Sequence, residues 1–122
     1  MTFIGGSKTN VVLRKTIEEL IKASNKNNAP IWRAVAEELS KPRRRRRAVN
    51  ISRLNRYTSP GDVVVVPGKV LGAGVLDHPI TVAASSFSKT AIEKILKSGG
   101  RVLHILDLVS ENPKGSGVKI IG

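Results

Sequence analysis

Five consecutive arginines, Arg43, Arg44, Arg45, Arg46 and Arg47, constrain this chain more than any other feature. Guanidinium groups stay charged at any pH a protein meets, adjacent ones repel, and none can be buried unpaired. With Lys41 they place six positive charges in the seven residues 41–47. A hydrophobic core can form before the run and after it, but cannot contain it. Patterned, foldable sequence flanks the run on both sides, unlike a floppy charged terminus. The plain alternative is a solvated charge run or a localisation tag.

The positive excess is concentrated at the front. Residues 1–58 hold 14 Lys and Arg against 4 acids, a net of +10, whereas residues 59–122 hold 7 against 5, a net of +2. We expect a basic helical part over 1–58 and a compact α/β core over 59–122, together one structural domain. A hydrophobic content of 40% suffices for a core without staples. Without cysteine there is no disulfide scaffold, thiol nucleophile or Cys-ligated metal site. No apolar run approaches the ~18 residues of a membrane span, and residues 1–10 lack a signal peptide's apolar stretch. The expectation is a soluble, cytoplasmic domain with no membrane partner, no cofactor and no small-molecule substrate. Its formal charge of +12 calls for a polyanion, nucleic acid ahead of an anionic membrane surface.

Local patterns predict a helix over 10–25, with Leu13, Ile17, Leu20 and Ile21 on one face. The other face offers Arg14–Glu18, Lys15–Glu19 and Glu18–Lys22 as i,i+4 pairs. Pro30 suits the first turn of a second helix, which ends before Pro42, with Trp32, Val35, Ala36 and Leu39 inward. Residues 49–57 suit a short third helix that puts Asn50, Arg53 and Tyr57 on a common face. Strands are expected at 62–66, 80–84 and 118–121, with Pro67-Gly68-Lys69 breaking the first. A helix over 88–98 should turn Ile92, Ile95 and Leu96 inward and stop at Gly99-Gly100. Residues 102–112 read as a strand passing into a short helix closed by Pro113.

The chemistry available is phosphate-directed. Several guanidinium groups in a row match a phosphate backbone, through bidentate hydrogen bonds and release of counterions. Aromatic platforms for stacked bases are scarce: Phe3, Trp32, Tyr57 and Phe87 are the whole supply, and only Tyr57 lies near basic residues. The stretch Pro67-Gly68-Lys69-Val70-Leu71-Gly72-Ala73-Gly74 is not a phosphate loop of the Walker type, because Lys69 precedes most of its glycines and Val70 follows it. It suits a tight loop offering Lys69 and backbone N–H groups to RNA. Asp77-His78 and His104 with Asp107 are the close carboxylate–imidazole sets. No nucleophile elbow accompanies them, so no catalytic residue and no metal ligand is assigned. His78 is read as a turn residue and His104 as satisfied in or beside the core.

Four blocks carry a family resemblance: Ser7-Lys8-Thr9-Asn10, then Glu38-Leu39-Ser40-Lys41-Pro42-Arg43-Arg44, then Val49-Asn50-Ile51-Ser52-Arg53-Leu54, then Val64-Val65-Val66-Pro67-Gly68-Lys69-Val70-Leu71-Gly72 with Gly74. In this order they resemble the archaeal branch of the L-fifteen/L-eighteen-e family of large-subunit ribosomal proteins, over about residues 7–121. Val11 stands where the family often has Pro, and 45–47 is more basic than its usual pattern. The resemblance implies N-terminal helices followed by an irregular β-β-α superhelical domain. It also implies a non-enzymatic constituent of the large ribosomal subunit, with large-subunit ribosomal RNA and neighbouring ribosomal proteins as partners. The expected RNA-binding residues are Lys8, Arg14, Lys41, Arg43, Arg44, Arg45, Arg46, Arg47, Asn50, Arg53, Arg56 and Lys69. A free-standing RNA- or DNA-binding regulator is the alternative.

Overall fold

The computed structural model describes residues 4–41 and 48–122, so the expectations placed on Pro42 and on the arginines at 43–47 lie outside the described residues. Chain order is α1 (Ile4–Asn27), α2 (Pro30–Ser40), β1 (Val49–Asn50), α3 (Ile51–Tyr57), β2 (Val63–Leu71), β3 (Thr81–Phe87), α4 (Lys89–Lys97), β4 (Arg101–His104), α5 (Ile105–Glu111) and β5 (Val118–Ile120).

The helix ends follow local chemistry. Asn28 adopts a left-handed φ of 51° after α1, and Pro30 opens α2 where its missing N–H is not needed. Ser88 caps α4 by accepting from the Ala91 N–H at 3.2 Å, and Gly99, at φ +89°, follows its end. His104 is exposed and caps α5, its Nδ1 accepting from the Leu106 N–H at 3.2 Å while Asp107 Oδ2 accepts from the His104 N–H at 3.4 Å. The placement of His104 in or beside the core is thereby corrected: the strand ends there, and the imidazole serves the orphan donors of the next helix.

All strand pairings are parallel, in the order β1-β2-β3-β4, and β5 joins β2 on the edge that β1 also uses. Val49↔Val70 and Val63↔Val118 place β1 and β5 end to end along that edge. Val64, Val66, Val82 and Ala84 face one core with Ile51, Leu54, Leu76, Ile80, Ala91 and Ile95. Val65 and Ala83 face the other, with Leu20, Trp32, Val35, Leu39, Ile105 and Leu108. Helices α3 and α4 thus cover one face, and α1, α2 and α5 cover the other. Burial on both faces is why β2 reads as consecutive valines rather than as alternation.

Three expectations change. Strand β2 does not break at Pro67-Gly68-Lys69 but runs through it with a shift in register, from Val66↔Ala84 to Lys69↔Ser86. One extra residue on β2 forms a bulge, which tolerates a proline that cannot donate to the ladder. On α4, Ala91 and Ile95 are the buried residues, while Leu96 is 53% exposed, because a nine-residue helix buries a single narrow stripe. On α1, which extends beyond 10–25 at both ends, Leu20 is buried as expected, with Leu13, Ile17 and Ile21 packed against the same cluster. The ion pair formed there among the described residues is Lys22–Glu19 at 3.7 Å, an i,i+3 contact rather than an i,i+4 one.

Candidate nucleic-acid interface

The direct passage of β1 into α3 sets the first part of the site. Asn50 occupies the N-cap position of α3 with an exposed side chain that makes no capping hydrogen bond. Ile51 and Leu54 anchor the helix in the core, which turns Arg53 and Arg56 to solvent. Arg53 and Tyr57 stand at i,i+4, and the guanidinium carbon lies 5.1 Å from the ring centroid. Tyr57 is 51% exposed.

The second part lies toward the carboxyl ends of the parallel strands. Lys69 is exposed on β2 just past the bulge, opposite Ser86 of β3. The pair Val49↔Val70 sets Ala48, the residue after Arg47, level with Lys69 in the register. Directly after the arginine run the chain is therefore back at the sheet beside Lys69, shortly before Asn50. Parallel sheets commonly present binding loops at this end. Before the run, exposed Lys41 follows α2 and pairs with Glu38 at 2.6 Å.

Sequence reasoning grouped residues that the sheet separates. Arg14 is exposed on α1, in the layer of α2 and α5, whereas Arg53 and Arg56 sit on α3 across the sheet. Lys8 falls in the early turns of α1, before the described side chains. Lys119 was missed. Its pairing with β2 brings it to the cavity of about 450 Å³ that Arg53, Tyr57, Ile120, Ile121 and Gly122 also line. A lone lysine in a short strand carries no such signal until the pairing is known.

Charge balance distinguishes these cations. Lys119 is held by Asp62 at 2.8 Å and Arg101 by Glu111 at 2.8 Å. The Lys119 hydrogen bond, with the Ser59 N–H second, holds the Asp62 carboxyl below its usual range. Arg53, Arg56 and Lys69 have no ion pair among the described residues.

The glycine loop is committed to packing. A Cβ on Gly72 would lie 2.6 Å from the Thr90 Cβ, and one on Gly74, at φ +103°, would lie 2.5 Å from the Ser52 Cβ. Ala73 O accepts from the Ser52 N–H at 3.1 Å, and Lys94 Nζ donates to the carbonyls of Gly72 and Gly74, each at 2.6 Å. These contacts wedge the loop between the starts of α3 and α4.

The Asp77–His78 pair is likewise structural. His78 Nδ1 meets Asp77 Oδ1 at 2.8 Å and Nε2 meets Thr58 Oγ1 at 2.7 Å. The Thr58 hydroxyl also reaches the Leu54 carbonyl at 2.7 Å, so the chain of contacts pins the end of α3 to the β2–β3 loop. The His78 hydrogen bond is the main cause holding the Asp77 carboxyl below its ordinary range. Among the described residues no group of three His, Cys, Asp or Glu could hold a metal ion, and no helix is long and apolar enough to cross a membrane.

The described residues form an α/β domain whose surface cations Arg53, Arg56 and Lys69 stand without a carboxylate partner among them. Residues 15–103 match the family model that describes ribosomal proteins 50S-L15, 50S-L18e and the 60S protein L-twenty-seven-A. The chain is 49% identical over 114 residues to large ribosomal subunit protein eL18 of Archaeoglobus fulgidus, covering 93% of this chain and 97% of that one. It is 55% identical to the eL18 protein of Sulfurisphaera tokodaii, over 84% of each chain, and 49% identical to that of Methanopyrus kandleri, over 99% of each. The chain belongs to this L15/L18e family, in its archaeal eL18 type, and so to structural ribosomal proteins rather than enzymes.

Proposed function

We propose that this chain is a structural constituent of the large ribosomal subunit that binds and stabilises large-subunit ribosomal RNA through its phosphates. Lys8, Arg14, Lys41, Arg43, Arg44, Arg45, Arg46, Arg47, Asn50, Arg53, Arg56 and Lys69 make the contacts, and neighbouring large-subunit proteins complete the surroundings. The observation that carries the reading is the uncompensated charge: the +10 front half includes Arg53 and Arg56, which no carboxylate neutralises among the described residues. Lys69, without an ion pair among the described residues, adds a further cation level with Ala48, where the chain rejoins the sheet. Such cations lower their mutual repulsion by binding a polyanion.

Residues 1–58 are the basic part and 59–122 the α/β core of one structural domain. The continuous cluster joining Leu20 and Trp32 to Val65 and Ile105 supports treating them together. We read the succession β2–β3–α4 as one β-β-α unit of the superhelical fold that the resemblance implies. Co-sedimentation tests the proposal. The tagged chain should remain with large subunits through a high-salt wash. Recovery in the free-protein fraction, with RNA affinity retained, would instead favour a free-standing regulator.

A further inference from the structure

We propose that the cavity between α3 and β5 takes a single unstacked RNA nucleotide, its base lying against Tyr57 and its phosphate reached by Arg53 and Lys119. This inference rests on the RNA-binding reading above and names a mode of contact that phosphate clamping alone does not require. Tyr57 is the aromatic ring left exposed among the described residues: Trp32 is buried and Phe87 half-buried. Ring and guanidinium are preassembled at 5.1 Å, so the side chains lose little freedom when a ligand arrives. The opening of about 450 Å³ falls within the range of small-ligand clefts.

The lining decides between ligands. A bare phosphate would be served by cations alone, yet Tyr57 and Ile120 leave large apolar surfaces in water here, 51% and 39% exposed. A nucleotide combines a flat π surface with an anion, and both halves of the cavity then have a partner. Arg53, with no ion pair among the described residues, is the main partner for the anion, and Lys119 is the second: Asp62 fixes its ammonium at 2.8 Å and offsets part of its charge, while half of the side chain stays exposed. An unpaired base is required, since a ring within a duplex offers its face to neighbouring bases.

The test uses the full chain and a short single-stranded RNA carrying one 2-aminopurine, whose fluorescence reports stacking. Wild type should change the probe's emission. Tyr57→Leu should weaken binding by between about fivefold and a hundredfold. Tyr57→Phe should stay within about twofold, because the π face persists. Neither change should alter the salt slope, whereas Lys119→Ala should lower it by about 1. Cross-linking of 4-thiouridine-substituted large-subunit RNA should mark Tyr57. If the chain binds RNA but Tyr57→Leu binds as tightly as wild type, the nucleotide site is wrong and phosphate clamping stands. If wild type fails to bind large-subunit RNA, the RNA reading itself falls. Cross-linking of Tyr57 to a ribosomal protein instead of RNA would assign the cavity to a protein neighbour and overturn the inference.

Discussion

Three glycine-to-alanine substitutions flanking β2 separate backbone strain from steric exclusion. Gly61 has φ +88° with nothing within 4 Å of a Cβ, so Gly61→Ala carries only the left-handed penalty, partly offset by the stiffer unfolded chain. The net cost is about 1 kcal/mol. Gly72 has an ordinary φ, but its Cβ would meet Thr90 Cβ and Cγ2 at 2.6 Å and the Ala91 nitrogen at 3.0 Å. Gly72→Ala is therefore pure overpacking, about 1–3 kcal/mol. Gly74→Ala combines both, because φ is +103° and the Ser52 Cβ, nitrogen and Cα stand at 2.5, 2.7 and 2.9 Å. Two of those atoms are helix backbone and cannot swing aside, which puts the cost at about 2–4 kcal/mol. For a chain of this length each kcal/mol lowers Tm by roughly 3–5 °C. Thermal unfolding followed by circular dichroism should rank Gly61→Ala mildest, at roughly 3–5 °C, and Gly74→Ala worst, at roughly 6–20 °C. A Gly74→Ala variant at least as stable as Gly61→Ala would refute the wedged loop, and with it the assignment of Gly72 and Gly74 to packing rather than to a ligand.

Trp32→Phe should cost about 2 kcal/mol by urea unfolding, since it empties part of a fully buried site and removes the Nε1–H donated to the Pro113 carbonyl at 2.7 Å; an unchanged midpoint would contradict this. Because its pairing lowers the Asp62 pKa in the folded state, that contribution is fully present above the unfolded value of about 3.9 and fades as pH falls through the folded value. Asp62→Asn should therefore lower stability at neutral pH and flatten the acid limb of the Tm–pH curve, and NMR should place the Asp62 carboxyl midpoint below about 3.9. Replacing all five arginines at 43–47 by serine should leave Tm within a few degrees of its wild-type value, because no core can contain the run, while sharply reducing incorporation into large subunits. Unfolding of that variant would mean that the arginines pair within the domain.

What was legible in the sequence is what short-range chemistry controls. Pro30 and Gly99 fix helix ends through their own backbone properties and Ser88 through its side-chain hydroxyl, and the apolar spacing of Trp32, Val35, Ala36 and Leu39 places them in the core as expected. Pairing is different. That β5 lies on β2 end to end with β1 depends on segments far apart along the chain, and nothing local in Val118–Ile120 encodes it. The cavity formed by Lys119 and Tyr57 was therefore invisible. Locally the Pro67-Gly68 pair predicts a break, because proline and glycine more often end a strand than bulge one. Hydrophobicity alone predicts Leu96 inward, but it says how a side chain would gain from burial and not whether a partner is there. The candidate site was legible as charge and residue type, while its division across the two faces of the sheet was not.

Phosphate-directed RNA binding is tested most directly by the dependence of affinity on salt. Each neutralised phosphate contributes roughly 0.7–0.9 to the slope of log K against log salt concentration. With five or more arginines engaged, the affinity of the purified full chain for large-subunit ribosomal RNA should fall with a slope of at least about 4. A slope near about 1 would mean that the arginine run and the cations Arg53, Arg56 and Lys69 do not clamp phosphates, and would contradict the account.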